Sequence, residues 1–96
     1  MSIFVILGRL TQKALAHMDR AAERDASGDR IIEAAGGRVL AHYYTFGQYD
    51  FVVIADLPSA DALARALMEM GRYGTVTTES MTALTPDEVY RAVKGG

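Results

Sequence analysis

The side chains best suited to chemistry in this chain are His42, Tyr44, Asp50 and Glu79. An imidazole and a phenol two positions apart share one face of an extended strand, where they can hold a small aromatic molecule, meet a haem or move a proton. The bland alternative for His42 is a hydrogen-bonded residue at a subunit seam. Asp50 offers a carboxylate as a base or as an acceptor for a ligand; alternatively it accepts backbone amides and locks the turn beside it. Glu79 stands among Thr77, Thr78 and Ser80. It is an acid or base if burial raises its pKa, or an edge-strand charge that discourages aggregation. Tyr49 joins His42 and Tyr44 as a ligand-contact candidate, with a place in the core or at an interface as its structural alternative. Gly47 is expected to supply the positive φ of a hairpin loop.

Composition narrows the chemistry. The chain has 96 residues, half of them apolar, and no cysteine, which removes disulfides, thiolate nucleophiles and thiolate metal sites. His17 and His42 lie far apart without compact ligand spacing, so no metal site is expected. No phosphate-cradling glycine loop, nucleophile elbow or H-E-x-x-H is present. Ten basic and twelve acidic side chains leave a net charge of −2, with no basic run to follow a phosphate backbone. Nucleic acid is therefore not an expected partner. The early apolar run, MSIFVILG, falls far short of the roughly 20 residues that span a bilayer. The expectation is one cytoplasmic domain, residues 1–96, with no membrane partner and no cofactor demanded by its residues.

The elements that must position these side chains are legible in turn. Ile3 to Leu7 is an apolar, β-branched run bounded by Gly8, which reads as a buried strand. Met18, Ala21, Ala22, Gly28, Ile32 and Ala35 fall in one helical sector about 140° wide. Gly36 and Gly37 stop that helix. Asp25 and Asp29 lie in the same sector, around Ser27 and Gly28. They predict a break with Asp25 or Ser27 capping a second segment; a carboxylate pair facing a pocket, or exposure at a domain edge, are the alternatives. Val39 to Phe46 and Phe51 to Ala55 are strands with both faces partly apolar, Val39, Ala41 and Tyr43 opposing Leu40, His42, Tyr44 and Phe46. Ser59 caps a helix whose buried stripe is Leu63, Ala66, Leu67 and Met70, with Gly71 at its end. Thr75 to Leu84 is a threonine-rich fourth strand. Thr85-Pro86-Asp87-Glu88 is a capping box opening a terminal helix, which Val89 and Val93 are expected to pack back. Met68, Met70 and Met81 read as core filler.

The order β-α-β-β-α-β plus a terminal helix is a ferredoxin-like α+β fold, with an antiparallel sheet and two helices on one face. Strands apolar on both sides need cover on both sides. Helices take one face; a second subunit takes the other most economically.

At Gly47-Gln48-Tyr49-Asp50 the chain resembles the GYD-domain proteins, a family of small bacterial and archaeal proteins named for a glycine-x-tyrosine-aspartate motif. Phe4 to Leu7, Thr11, Gly36 and Gly37, the tyrosine-containing strand, Phe51, Val52, Thr77 and Thr78 match its pattern as well. The resemblance runs from about Ser2 to Leu84. It implies the dimeric α+β barrel arrangement, in which two ferredoxin-like subunits pack their sheets together. That broader group includes haem-degrading and cofactor-free monooxygenases, isomerases, dehydratases and haem enzymes, beside proteins with no known catalysis.

Two functional readings follow. The favoured one is a homodimer, or higher homo-oligomer, with a regulatory or assembly role and a small apolar or aromatic ligand. The alternative is a small-pocket enzyme or haem-binding protein of monooxygenase or isomerase type, with His42, Tyr44, Asp50 or Glu79 at the pocket wall.

Overall fold

The computed structural model describes residues 1–95. Strand β1 (Ser2–Leu10) leads through a short helix α1 (Gln12–Leu15) and a 3-10 turn (Met18–Arg20) into helix α2 (Ala21–Ala34). Strands β2 (Arg38–Tyr44) and β3 (Phe51–Leu57) form a hairpin, followed by helix α3 (Ala60–Gly71), strand β4 (Val76–Ala83) and helix α4 (Pro86–Gly95). The sheet order is β2-β3-β1-β4 and every pairing is antiparallel. This is the ferredoxin-like topology expected from the element order.

Register decides which side chains meet. On the helix-covered face, Tyr44, Phe51, Gly8 and Thr78 form one cross-strand row, and His42, Val53, Ile6 and Ser80 the next. On the opposite face the rows are Tyr43, Val52, Leu7 and Glu79, then Ala41, Ile54, Val5 and Met81. Simple alternation puts Val39 on the face opposite His42. A register shift between Val39 and Ala41 inserts one residue, so Val39 joins His42 and Tyr44 on the helix side.

The core lies between sheet and helices, built from Phe4, Ile6, Ile32, Ala55, Leu57, Ala62, Leu63 and Ala66. Helix α3 follows its amphipathic pattern, with the Ser59 hydroxyl accepting the Ala62 amide at 3.1 Å. Met70 packs beside the core, whereas Met68 is 76% exposed and Met81 47%, so neither of these two is core filler. Asp25 to Asp29 does not break α2, which runs unbroken from Ala21 to Ala34. It ends in a left-handed turn: the Gly37 amide donates to Ile32 at 3.1 Å, the Gly36 amide to Glu33 at 2.9 Å, and Gly36 takes φ +90°. Only Ile32 of α2 is fully buried.

The capping box forms as expected: the Thr85 hydroxyl accepts the Glu88 amide at 3.1 Å and the Glu88 carboxylate accepts the Thr85 amide at 2.9 Å. Val89 and Val93 do not pack α4 back onto the domain. The helix buries no residue and exposes Val89, Tyr90 and Val93 along one stripe.

Two glycine substitutions should move stability in opposite directions. The Phe51 ring occupies the space that a Cβ at Gly8 would need. Gly8→Ala is expected to destabilise by about 1–3 kcal/mol through overpacking. A Cβ at Gly28 meets nothing, so Gly28→Ala should stabilise by about 1 kcal/mol through helix propensity; urea midpoints read both. The Thr85 amide and hydroxyl hold the Glu88 carboxyl below its ordinary value. That contribution is complete above the usual glutamate pKa and is lost as pH falls through the depressed one. The α4 amides, followed by NMR, should therefore lose protection in acid before the sheet does.

Candidate functional site

Helix α2 packs its buried residue, Ile32, onto the sheet near its C-terminal end. Its sheet-facing positions go from Ile32 and Ile31 to Gly28, Asp25 and Ala21 toward the N-terminus, and the side-chain volume dwindles accordingly. What remains is a cleft of about 590 Å³ between α2 and the sheet. His42, Tyr44, Phe51 and Val53 form its sheet wall, Arg24, Asp25 and Gly28 belong to its helix wall, and Leu10, Ala14 and Val76 line one end. The volume falls in the range of small-molecule sites.

Inside it the rings are ordered. His42 lies 5.4 Å from the Tyr44 ring, centroid to centroid, and meets Phe51 edge-on at 6.0 Å. The Tyr44 hydroxyl donates to Asp25 Oδ2 at 2.6 Å, joining strand β2 to helix α2 across the mouth. Burial raises the Tyr44 pKa, the hydrogen bond to Asp25 adds to the rise, and the nearby Arg24 guanidinium opposes it. Tyr44 therefore stays a neutral donor at physiological pH. The Arg24 guanidinium itself donates to the Met18 sulfur at 3.5 Å, a weak acceptor.

The other sequence candidates lie elsewhere. The Asp50 carboxylate takes no amide of its own turn: its Oδ2 accepts the Leu10 amide of β1 at 2.8 Å, while its backbone amide donates to Gly8 at 2.8 Å and its carbonyl closes the loop by accepting the Thr45 amide at 2.8 Å. Gly47 was expected to need a positive φ. It does not, because the loop between β2 and β3 is a series of bends held by the Thr45 hydroxyl on the Tyr49 carbonyl at 2.6 Å. Among the described residues positive φ belongs instead to Gly36 and Gly74.

Glu79 and Tyr49 are on the far side of the sheet from the cleft. Glu79 shares a row with Leu7 and Val52, accepts the Tyr49 hydroxyl, and Arg9 stacks over the Tyr49 ring at 4.9 Å. That hydrogen bond raises the Tyr49 pKa, with partial burial adding to it. The ligand trio is thus split, with His42 and Tyr44 in the cleft and Tyr49 outside it. His42 faces the helices, not the open sheet face where a subunit seam would run. Arg24 and Gly28 carried no sequence motif of their own; the one signal was a helical stripe in which an aspartate and a glycine replace large apolar residues. Among the described residues no three His, Asp or Glu side chains gather in a set able to hold a metal ion.

Fold and cleft define a ferredoxin-like α+β protein with a small-molecule-sized recess between its first long helix and the sheet. The chain belongs to the GYD-domain family, whose model matches residues 4–93. It is 28% identical over 95 residues, 98% of this chain and 100% of the relative, to the glutamine synthetase and cystathionine beta-lyase binding protein of Thermus thermophilus. Among solved structures it is similar to a feast or famine regulatory protein of M. tuberculosis complexed with L-methionine, with TM-score 0.65 and 19% identity. That match covers 88% of this chain and 51% of the other, so this chain spans about half its length. FFRP-DM1 matches with TM-score 0.59 and 19% identity, over 88% of this chain and 100% of that one. These structural likenesses carry the fold. No helix among the described residues is long and apolar enough to cross a membrane.

Removing the Asp50 carboxylate should loosen the joint between β3 and β1. Asp50→Ala is expected to cost about 1.5–3 kcal/mol, the worth of a hydrogen bond to a charged group, and Asp50→Asn less because an acceptor oxygen remains. Denaturant midpoints measure both, and equal losses would assign the effect to charge alone.

Proposed function

We propose that this protein is a non-catalytic, homodimeric regulatory protein that binds a small ligand in the α2 cleft and engages another protein. The carrying observation is the sheet face opposite the helices. Val5, Leu7, Val52 and Ile54 lie in adjacent rows at its centre, only partly covered, flanked by Tyr43 at 62% exposure and Met81 at 47%. An antiparallel sheet that kept this face in water would place polar residues there. A second copy, related by a two-fold axis, presents the same rows and closes the dimeric barrel. The buried Oδ1 of Asp56, on the same face, has no hydrogen-bond partner among the described residues, and a second subunit would bring donors near it.

Regulation is favoured over catalysis by the state of His42. No hydrogen bond within the described residues orients its imidazole, whereas a general base needs one to fix its tautomer. Asp50 and Glu79 lie outside the cleft, so the four candidate groups do not converge. Binding to a partner protein is supported by the uncovered stripe of Val89, Tyr90 and Val93 on α4, and by the Thermus relative named for binding two enzymes.

Light scattering at micromolar concentration should report twice the chain mass, and Ile54→Lys should return the monomer mass. A monomer in the unaltered protein would overturn the dimer. Glutamine synthetase and cystathionine beta-lyase from the source organism are the first partners to titrate. Saturable binding weakened at least about tenfold by Tyr90→Asp with Val93→Asp, at unchanged dimer mass, is expected. Absence of binding to either enzyme would remove this pair as targets.

A further inference from the structure

The cleft carries more information than its size. Its floor is apolar, made of Phe51, Val53 and Ile32, and of the charged side chains that line its mouth Lys13, Arg20, Glu23 and Asp29 are exposed. There, two half-buried side chains of opposite charge, Arg24 and Asp25, both approach the Tyr44 hydroxyl. They do not form an ion pair with each other: the ion pairs among the described residues are Arg38–Asp56 and Arg72–Glu69. Each therefore keeps capacity for a partner. Arg24 has a thioether as its acceptor, and a guanidinium prefers the paired oxygens of a carboxylate. Asp25 uses Oδ2 for Tyr44 and keeps Oδ1 open.

An anion alone would satisfy Arg24 but lie beside Asp25, and a cation alone would do the reverse. A head group carrying both charges answers both, and an apolar body attached to it fills the floor. We infer that the α2 cleft binds a free α-amino acid with an apolar or aromatic side chain, its carboxylate on Arg24 and its ammonium on Asp25. The Tyr44 hydroxyl, between them, sets the height of the head group, and Gly28 supplies the space for the side chain. This rests on reading the cleft as a ligand site and adds the class of ligand.

Titration of the isotope-labelled, full-length protein by NMR tests it with L-phenylalanine and three analogues. These are 3-phenylpropionate, which lacks the ammonium; phenethylamine, which lacks the carboxylate; and benzyl alcohol, which lacks both. L-Phenylalanine should shift the amides of Gly28, His42 and Tyr44 saturably, with each single-charge analogue at least about tenfold weaker. Arg24→Gln should weaken L-phenylalanine about tenfold while leaving phenethylamine unchanged, and Asp25→Asn should do so while sparing 3-phenylpropionate. Gly28→Leu should obstruct the cleft beside Tyr44 and weaken L-phenylalanine at least about tenfold while raising the melting temperature, which separates blockage from misfolding. Benzyl alcohol saturating the same amides without a preference for L-phenylalanine would overturn the amino-acid inference and keep the cleft as a ligand site. No saturable shift with any of the four, or shifts confined to the outer face around Val5 and Ile54, would overturn both.

Discussion

Asp50 is the joint on which the rest of the arrangement depends. Its carboxylate holds the Leu10 amide, its own amide holds the Gly8 carbonyl, and its carbonyl takes the Thr45 amide. Three segments are thereby pinned at one end of the sheet: the end of β1, the exit from β2 and the entry to β3. A strand displaced by one residue turns every side chain to the opposite face. With this register, Tyr44, Phe51 and Gly8 share the cleft side, and Tyr43, Val52 and Leu7 share the other. The cleft and the open apolar face are two consequences of one alignment.

The same motif works through its tyrosine on the other side of the sheet. Tyr49 reaches Glu79 of β4 while Arg9 of β1 stacks on its ring and donates to the Gln48 carbonyl at 2.9 Å. The aspartate thus ties the loop to the central strand by its carboxylate and its backbone amide, and the tyrosine ties it to the edge strand by its hydroxyl. That explains how a glycine-x-tyrosine-aspartate sequence can serve as a signature through its structural role. Chemistry, or recognition, is left to the residues the motif aligns.

The helix layer is uneven for an equally physical reason. Helix α2 is held at its C-terminal end, where Ile32 is buried and the Gly36 turn packs close to Pro58. Toward its N-terminus, small and polar residues face the sheet, and the Tyr44–Asp25 hydrogen bond spans a gap that an all-apolar stripe would have closed. The helix gives up packing there, and a recess with a charged mouth is the result.

Element types, their order and most boundaries were legible in the sequence, because apolar periodicity, glycine stops and the Thr85 capping box are local signals. The ferredoxin-like topology follows from that order, since few right-handed arrangements fit it. The residues able to do chemistry were legible as types, but not their grouping. His42 and Tyr44 were paired by strand spacing, and they remain together. Tyr49 and Glu79 went to the opposite face, and Asp50 went to a backbone joint, because the β1–β4 register and the contacts of the β2–β3 loop are set between segments distant in sequence. Asp25 looked like a helix breaker from its neighbours alone. Only the packed structure, by bringing Tyr44 within hydrogen-bond distance, gave that carboxylate a partner and made a buried-face aspartate the polar edge of a cleft.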